Sequence, residues 1–118
     1  MNHIELGIAG ENLAVNHLAA KGYEILDRNY RWKHSEIDIV CRRGDTLVVV
    51  EVKTRNSTRF GEPYLSVTLR KQRQVIKVAN QYIQAKNMNE EVRFDVVSII
   101  LNSKKVDIEH IENAFYPI

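Results

Sequence analysis

Two runs of β-branched residues, Ile37-Asp38-Ile39-Val40 and Leu47-Val48-Val49-Val50, flank the segment Arg43-Gly44-Asp45-Thr46. Such runs predict strands, and Gly-Asp between them is the Gly-x pattern of a two-residue type II′ hairpin turn. With Gly44 and Asp45 at the turn, Arg43 faces Thr46. Extending that register sets Asp38 opposite Glu51 and Glu36 opposite Lys53. Side chains alternate faces along a strand, so these four are expected on one face, and Ile37, Ile39, Val48, Val50 and Val52 on the other.

The same patterning places the remaining elements. Ile4 to Lys21 predicts a helix, with Ala9, Leu13, Asn16/His17 and Ala20 as its main stripe, and Leu6, Gly10, Ala14 and Leu18 beside it. Gly22 supplies its C-terminal stop. Tyr23 to Trp32 reads as a strand with an irregularity inside it, and Asn56 to Pro63 as a loop. A second helix is expected over about Ser66 to Gln84. Its apolar positions are Leu69, Val75 or Ile76, Ala79 and Ile83; Arg70, Lys71, Arg73, Gln74, Lys77 and Gln81 fall on its other side. Val92 to Leu101 is almost continuously apolar, as in a buried strand, and Val106 to Ile111 alternates as in a half-exposed one. Helix, three strands, helix, two strands is the order of an α/β sheet with helices packed on it.

No linker or repeat divides the 118 residues, so one domain, 1–118, is expected. No apolar run approaches a membrane span, and the start, Met-Asn-His-Ile-Glu-Leu, lacks the plan of a signal peptide, which gives a cytoplasmic expectation. Cys41 is the single cysteine, which excludes an internal disulfide. The four histidines show no ligand spacing, which argues against zinc. A net charge of +2 hides an uneven distribution. Lys53, Arg55, Arg59, Arg70, Lys71, Arg73, Lys77 and Lys86 face only Glu51 and Glu62 between positions 51 and 86, and acids predominate afterwards. That polarity suits a surface meeting a phosphate backbone, and equally an ordinary exposed helix.

Two carboxylates about 5 Å apart repel by roughly 3 kcal/mol at an effective dielectric near 20. A divalent cation would offset this. Asp38 and Glu51, with the Val52 carbonyl at the same strand end, form an oxygen-only set that favours Mg²⁺ or Mn²⁺. Lys53, one pleat further on, is positioned to orient a water or to stabilise charge on a phosphate. Acid, acid and lysine thus form a site suited to phosphodiester hydrolysis. The alternative is a solvated hairpin face. Glu11 lies off the main stripe of the first helix, where it either supports such a site or points to solvent. Arg55, Arg59, Arg70, Lys71 and Lys77, with Phe60 and Tyr64 among them, are the expected nucleic-acid contacts. Arg93-Phe94-Asp95 reads as a structural ion pair closing a sheet edge.

Asp38 followed by Glu51-Val52-Lys53 resembles the core of the PD-(D/E)XK nuclease superfamily. More closely, the chain resembles the small bacterial YraN-like family. The matching elements are Gly7-x-x-Gly10-Glu11, Gly22-Tyr23-x-Ile25-Leu26-x-Arg28-Asn29, Glu36-Ile37-Asp38-Ile39-Val40, Val50-Glu51-Val52-Lys53-x-Arg55, Phe60-Gly61-x-Pro63, Lys71 and Arg93-Phe94-Asp95. That family looks similar to archaeal Holliday junction resolvases, in which a helical glutamate, an aspartate, a glutamate and a lysine form the metal site. The resemblance implies those roles for Glu11, Asp38, Glu51 and Lys53. It also implies a restriction-endonuclease-like three-layer fold, a mixed sheet flanked by helices. Ser35 stands where the family usually has glycine, and Val78 interrupts the Gln-x-x-x-Tyr helix motif of RecB-like nucleases.

The leading expectation is therefore a Mg²⁺-dependent endonuclease acting on DNA, including branched or damaged DNA, with a two-fold homodimer favoured if both strands of a junction are cut. The alternatives are a nucleic-acid-binding module that keeps the fold without turnover, and an interaction protein docking through its apolar end, Ala114-Phe115-Tyr116-Pro117-Ile118.

Overall fold

In the computed structural model, which describes residues 1–117, the first helix begins at a reciprocal cap. The Glu5 N–H donates to Asn2 Oδ1 at 2.8 Å and the Asn2 N–H donates to Glu5 Oε1 at 3.1 Å, satisfying two otherwise unpaired donors of α1, His3–Ala20. Gly22, at φ 93°, ends it: Tyr23 N–H donates to Leu18 O and Gly22 N–H to Ala19 O, the paired bonds of a Schellman motif.

Five strands follow in spatial order β1-β2-β3-β4-β5: β1 Glu24–Trp32, β2 Ser35–Arg43, β3 Thr46–Arg55, β4 Glu91–Leu101 and β5 Val106–Phe115. Only β3 and β4 are parallel; the other neighbours are antiparallel. Their connection is the crossover helix α2, Leu69–Ala85, reached through a 3₁₀ turn at Pro63–Ser66. Thr68 Oγ1 caps α2 by accepting from Lys71 N–H. Two apolar clusters, one on each face of the sheet, make this a three-layer α/β fold with a mixed sheet. Ala14 and Leu18 of α1 pack on Ile39, Cys41, Val48, Val50, Val97 and Ile99; Val75, Val78, Ala79 and Tyr82 of α2 pack on Ile37, Val40, Leu47, Val49, Phe94 and Val96. No helix among the described residues is long and apolar enough to cross a membrane.

α1 presents a different row to the sheet from the one its apolar spacing suggests, whereas α2 buries the expected Val75 and Ala79 and packs Ile76 and Ile83 against the same cluster. In α1 the buried row is Gly10, Ala14 and Leu18, because the smallest side chains allow the closest approach. A Cβ at Gly10 would lie 1.8 Å from Thr54 Oγ1. In α2 the buried row is Val75, Val78, Ala79 and Tyr82, leaving Leu69 exposed and setting Lys71 one turn before Val75 on the sheet-facing side.

Asp95 is not at an edge but fully buried, and Arg93 is only one of its partners. Arg93 reaches it with two bonds, at 2.9 and 2.8 Å, and His110 Nε2 and Asn113 N–H donate at 2.7 and 2.9 Å. Lys21 Nζ lies 2.8 Å from His110 Nδ1. An ammonium only donates, so the imidazole proton sits on Nε2, facing Asp95. Burial alone would raise the Asp95 carboxyl, but these donors outweigh it and hold the group below its usual range. Cys41 is buried packing, its thiol pushed up to about 12 mainly by burial. Phe115 stacks on Phe94 inside the α2-side cluster, so part of the apolar C-terminal segment is already used internally. Tyr116 is exposed, and Ile118 lies outside the described residues.

Candidate functional site

The hairpin forms in the expected register, with Arg43 opposite Thr46 and Ile39 opposite Val50, and with Gly44 at φ 58° opening the turn. The β2–β3 ladder then stops. Beyond Ile39, β2 pairs only with β1, ending at Trp32–Ser35; beyond Val50, β3 pairs only with β4, from Glu51–Val96 to Arg55–Ile100. Neither Asp38 with Glu51 nor Glu36 with Lys53 is consequently a ladder pair. Glu36 stays with β1, accepting from Arg31 at 3.2 Å. Ile37 also departs from the expected face: it packs with α2, whereas Ile39 packs with α1. The β1–β2 ribbon rolls over here, and Asn29, across from Asp38 and at φ 51°, supplies the irregular backbone that the roll needs.

The gap between the diverging strands is spanned by a side chain. Val52 N–H donates to Asp38 Oδ2 at 2.8 Å, in place of the next ladder bond. Alternation along β3 sends Val48, Val50 and Val52 towards α1 and Leu47, Val49 and Glu51 towards α2. Glu51 is 1% exposed, and its Oε1 has no hydrogen-bond partner. Its Oε2 lies 3.9 Å from Lys71 Nζ, a long contact for a buried carboxylate. Burial first, and then the charge of Asp38, push the Glu51 carboxyl well above its usual range, with Lys71 only partly opposing them. Asp38 is also raised by burial; the Val52 N–H opposes this, and the charge of Glu11 adds to it. A carboxyl placed this way has an oxygen without a protein partner, and its burial disfavours the ionised form.

Glu11 approaches from the other layer. It is 17% exposed at its side chain and held by Asn29 Nδ2 at 3.1 Å and Arg28 at 3.3 Å, while Arg28 also donates to Asn12 Oδ1 at 2.8 Å. It therefore does not point freely to solvent. Glu11, Asp38, Val52 and Lys53 line one open cleft of about 410 Å³, with Arg28, Asn29 and Arg55 on its rim. The splayed strands let α1 and α2 address the same pair of carboxyls from opposite faces.

Of the basic residues, Arg55 lines this cleft and also a neighbouring one that contains Arg59 and Phe60. Lys71 turns inwards to Glu51. Arg70 is exposed on α2, and Lys77 lies further along that helix beside Arg73 and Tyr116. The aromatics separate too: Tyr64 packs against the core, but Phe60 is 95% exposed.

Among the described residues no three His, Cys, Asp or Glu side chains stand together as a complete metal cluster. Magnesium does not need one, since it is commonly held by one or two carboxylates and keeps several waters. Asp38 and the unpartnered Oε1 of Glu51 fit that requirement. The spacing of residues pointed to Glu11, Asp38, Glu51 and Lys53, but not to Arg28 and Asn29 as the holders of Glu11, nor to Lys71 as the neighbour of Glu51. A lysine one turn ahead of the Val75–Val78–Tyr82 row was the available sign for the last.

The profile of a family described as "Uncharacterised protein family UPF0102" matches residues 10–99. A UPF0102 protein of Thermodesulfovibrio yellowstonii is 49% identical over 98% of this chain and 100% of its own length. Another, of Christiangramia forsetii, is 46% identical over 97% of this chain and 96% of its own length, and one of Clostridioides difficile is 45% identical over 98% and 100%. On this full-length similarity the chain belongs to the UPF0102 family, the YraN-like group that its motifs resemble.

Proposed function

We propose that this protein is a Mg²⁺- or Mn²⁺-dependent endonuclease that hydrolyses phosphodiester bonds in DNA, branched or damaged DNA included. The observation that carries the reading is Glu51: a buried carboxyl with an unpartnered oxygen, set beside Asp38, which itself lines a cleft with Lys53 and Glu11. Nothing in the packing of a merely structural hairpin calls for a second acid there, and the repulsion makes one costly.

Asp38 and Glu51 would hold the cation, with the Val52 carbonyl as a further oxygen at the same strand end. A divalent ion supplies neutralisation of phosphate charge and makes water a better nucleophile near neutral pH. The chain's own groups do the positioning. Val52 N–H fixes the Asp38 carboxylate. Arg28 and Asn29 fix Glu11, which supports the site from the α1 side. Lys53 orients the attacking water or balances the charge that develops on the phosphate. Arg55 at the rim pairs with a neighbouring phosphate. One water is consumed, one P–O ester bond breaks, and the products are a phosphate monoester end and a hydroxyl end.

Cleavage of branched, single-stranded and duplex DNA with Mg²⁺ or Mn²⁺ tests this directly. Equal activity in the wild type and Asp38→Ala would exclude the site as catalytic. A second reading, a DNA-binding module without turnover, is favoured by one feature: Lys71 already neutralises part of the Glu51 charge without a metal. Calorimetric titration with Mn²⁺ separates the two, because the nuclease reading requires a binding site that is lost in Glu51→Ala.

A further inference from the structure

Downstream of Lys53 the chain leaves β3 and forms a small structured turn rather than a loose loop. Gly61 N–H donates to Thr58 O at 2.9 Å, closing a turn in which Arg59 and Phe60 are the central residues. Arg59 N–H bonds Ser57 Oγ at 3.3 Å on its near side. On its far side Gly61, at φ 103°, leads into buried Pro63 and the 3₁₀ turn, which Ser66 Oγ closes by donating to Pro63 O at 2.8 Å. Phe60 is thus held out at 95% exposure by a backbone fixed on both sides.

A single exposed aromatic is common on protein surfaces. Three features distinguish this one. The Arg59 guanidinium lies 5.5 Å from the ring centroid, so a cation accompanies the aromatic face. The ring lines a cleft of about 470 Å³ with Arg55, Asn56 and Leu65, in which Glu62 is the lone acid. Arg55 also lines the cleft of Asp38 and Lys53, so the two hollows adjoin at that side chain. A strand whose phosphate is seated at the carboxyl pair would pass Arg55 and arrive at Phe60.

We infer that Phe60 is a stacking platform for an unpaired nucleobase, flanked by phosphate contacts from Arg55 and Arg59. Bases inside a duplex are covered on both faces by their neighbours, so an aromatic ring can stack only on one that has left the helix. The substrate class that follows is DNA in which a single-stranded segment adjoins the scissile phosphate, such as a flap, a tail or an open branch point, rather than continuous duplex. This inference rests on the nucleic-acid reading above and gives it a substrate shape.

The test is binding in EDTA, where cleavage does not enter, to a blunt duplex and to the same duplex carrying a single-stranded tail with 2-aminopurine next to the junction. The wild type is expected to prefer the tailed DNA and to quench the 2-aminopurine. Phe60→Ala should weaken the tailed complex by about 5- to 100-fold, leave the blunt one unchanged and abolish quenching, while Phe60→Trp retains both. Because the ring makes no core contact, these variants are expected to fold. The inference is overturned if the wild type shows no preference for the tail, binds neither DNA, or keeps preference and quenching in Phe60→Ala. It is equally overturned if both complexes weaken by the same factor. Loss of the metal site in Glu51→Ala is read separately by Mn²⁺ titration, so failure of the stacking platform and failure of the nuclease reading give different results.

Discussion

Gly10 and Thr54 meet so closely that a Cβ on the glycine would lie 1.8 Å from the threonine Oγ1 and 2.8 Å from its Cβ. This contact sets the height of α1 above β3, and Glu11 is the next residue along the helix. Gly10→Ala should therefore destabilise the fold by about 1–3 kcal/mol, the usual range for overpacking. It should also displace Glu11 from Asn29. Urea denaturation measures the first effect. Recovery of part of the loss in Gly10→Ala/Thr54→Gly would identify the clash as the cause, and an undiminished denaturation midpoint in Gly10→Ala would refute the close approach.

Glu51 should make the metal-free protein less stable than it need be. Its folded carboxyl is raised well above the usual 4.5, chiefly by burial and then by Asp38, so the native state binds its proton more tightly than the unfolded chain does. That contribution is fully present below about pH 4.5 and is lost as pH rises through the raised value. Glu51→Gln removes the buried ionisable carboxyl and offers Asp38 a donor. It should stabilise the metal-free protein at pH 7–8 by on the order of 1–3 kcal/mol and flatten the decline with pH. Asp38, raised by burial with the same sign, retains part of that slope. Mn²⁺ should raise the denaturation midpoint of the wild type but not of Glu51→Gln. A variant that is less stable than wild type at pH 8 without metal would contradict this account of the buried acid.

The hairpin was legible because a Gly-Asp turn and a period of two are local properties, and both survive in the fold. What local periodicity does not encode is where a ladder ends. Ile37 and Ile39 have the same parity, yet they face different helices because the β1–β2 ribbon rolls at Asn29, a change made by non-local packing. The α1 row and the start of α2 were misplaced for a related reason, although Val75 and Ala79 are buried as expected. Apolar spacing favours Leu13 and Leu69, but close approach favours Gly10 and Ala14, and crossover geometry turns Lys71 inwards. Asp38 and Glu51 could thus be read from the chain, whereas Arg28, Asn29 and Lys71 required the third dimension.

Asp95 should carry an opposite dependence on pH from Glu51. Burial opposes its ionisation, but His110, Arg93 and Asn113 hold its carboxyl below the usual 3.8. Its contribution is present above about pH 3.8 and is lost as pH falls through the lower folded value. Asp95→Ala would leave Arg93 and His110 without their shared acceptor and should cost about 3–5 kcal/mol. Asp95→Asn, which can still accept but no longer balances the guanidinium, should cost less. Acid denaturation of the wild type and both variants checks this order; a fully stable Asp95→Ala would show that the network contributes little.

Asn29 combines two roles that a pair of substitutions can separate. Its backbone is left-handed, at φ 51°, and its Nδ2 donates to Glu11 Oε2 at 3.1 Å. Asn29→Gly keeps the backbone conformation without strain and removes only the donor. Asn29→Ala removes the donor and adds about 1–2 kcal/mol of left-handed strain. If the side chain positions Glu11 for the site, both variants should lose Mn²⁺ affinity and DNA cleavage by a similar factor, roughly tenfold for a group that orients another ligand. Their stabilities should differ, with the alanine variant the weaker. Calorimetric titration beside thermal denaturation yields both quantities on the same samples. Wild-type Mn²⁺ affinity and cleavage in Asn29→Gly would confine the residue to shaping the ribbon and leave the orientation of Glu11 to Arg28 alone.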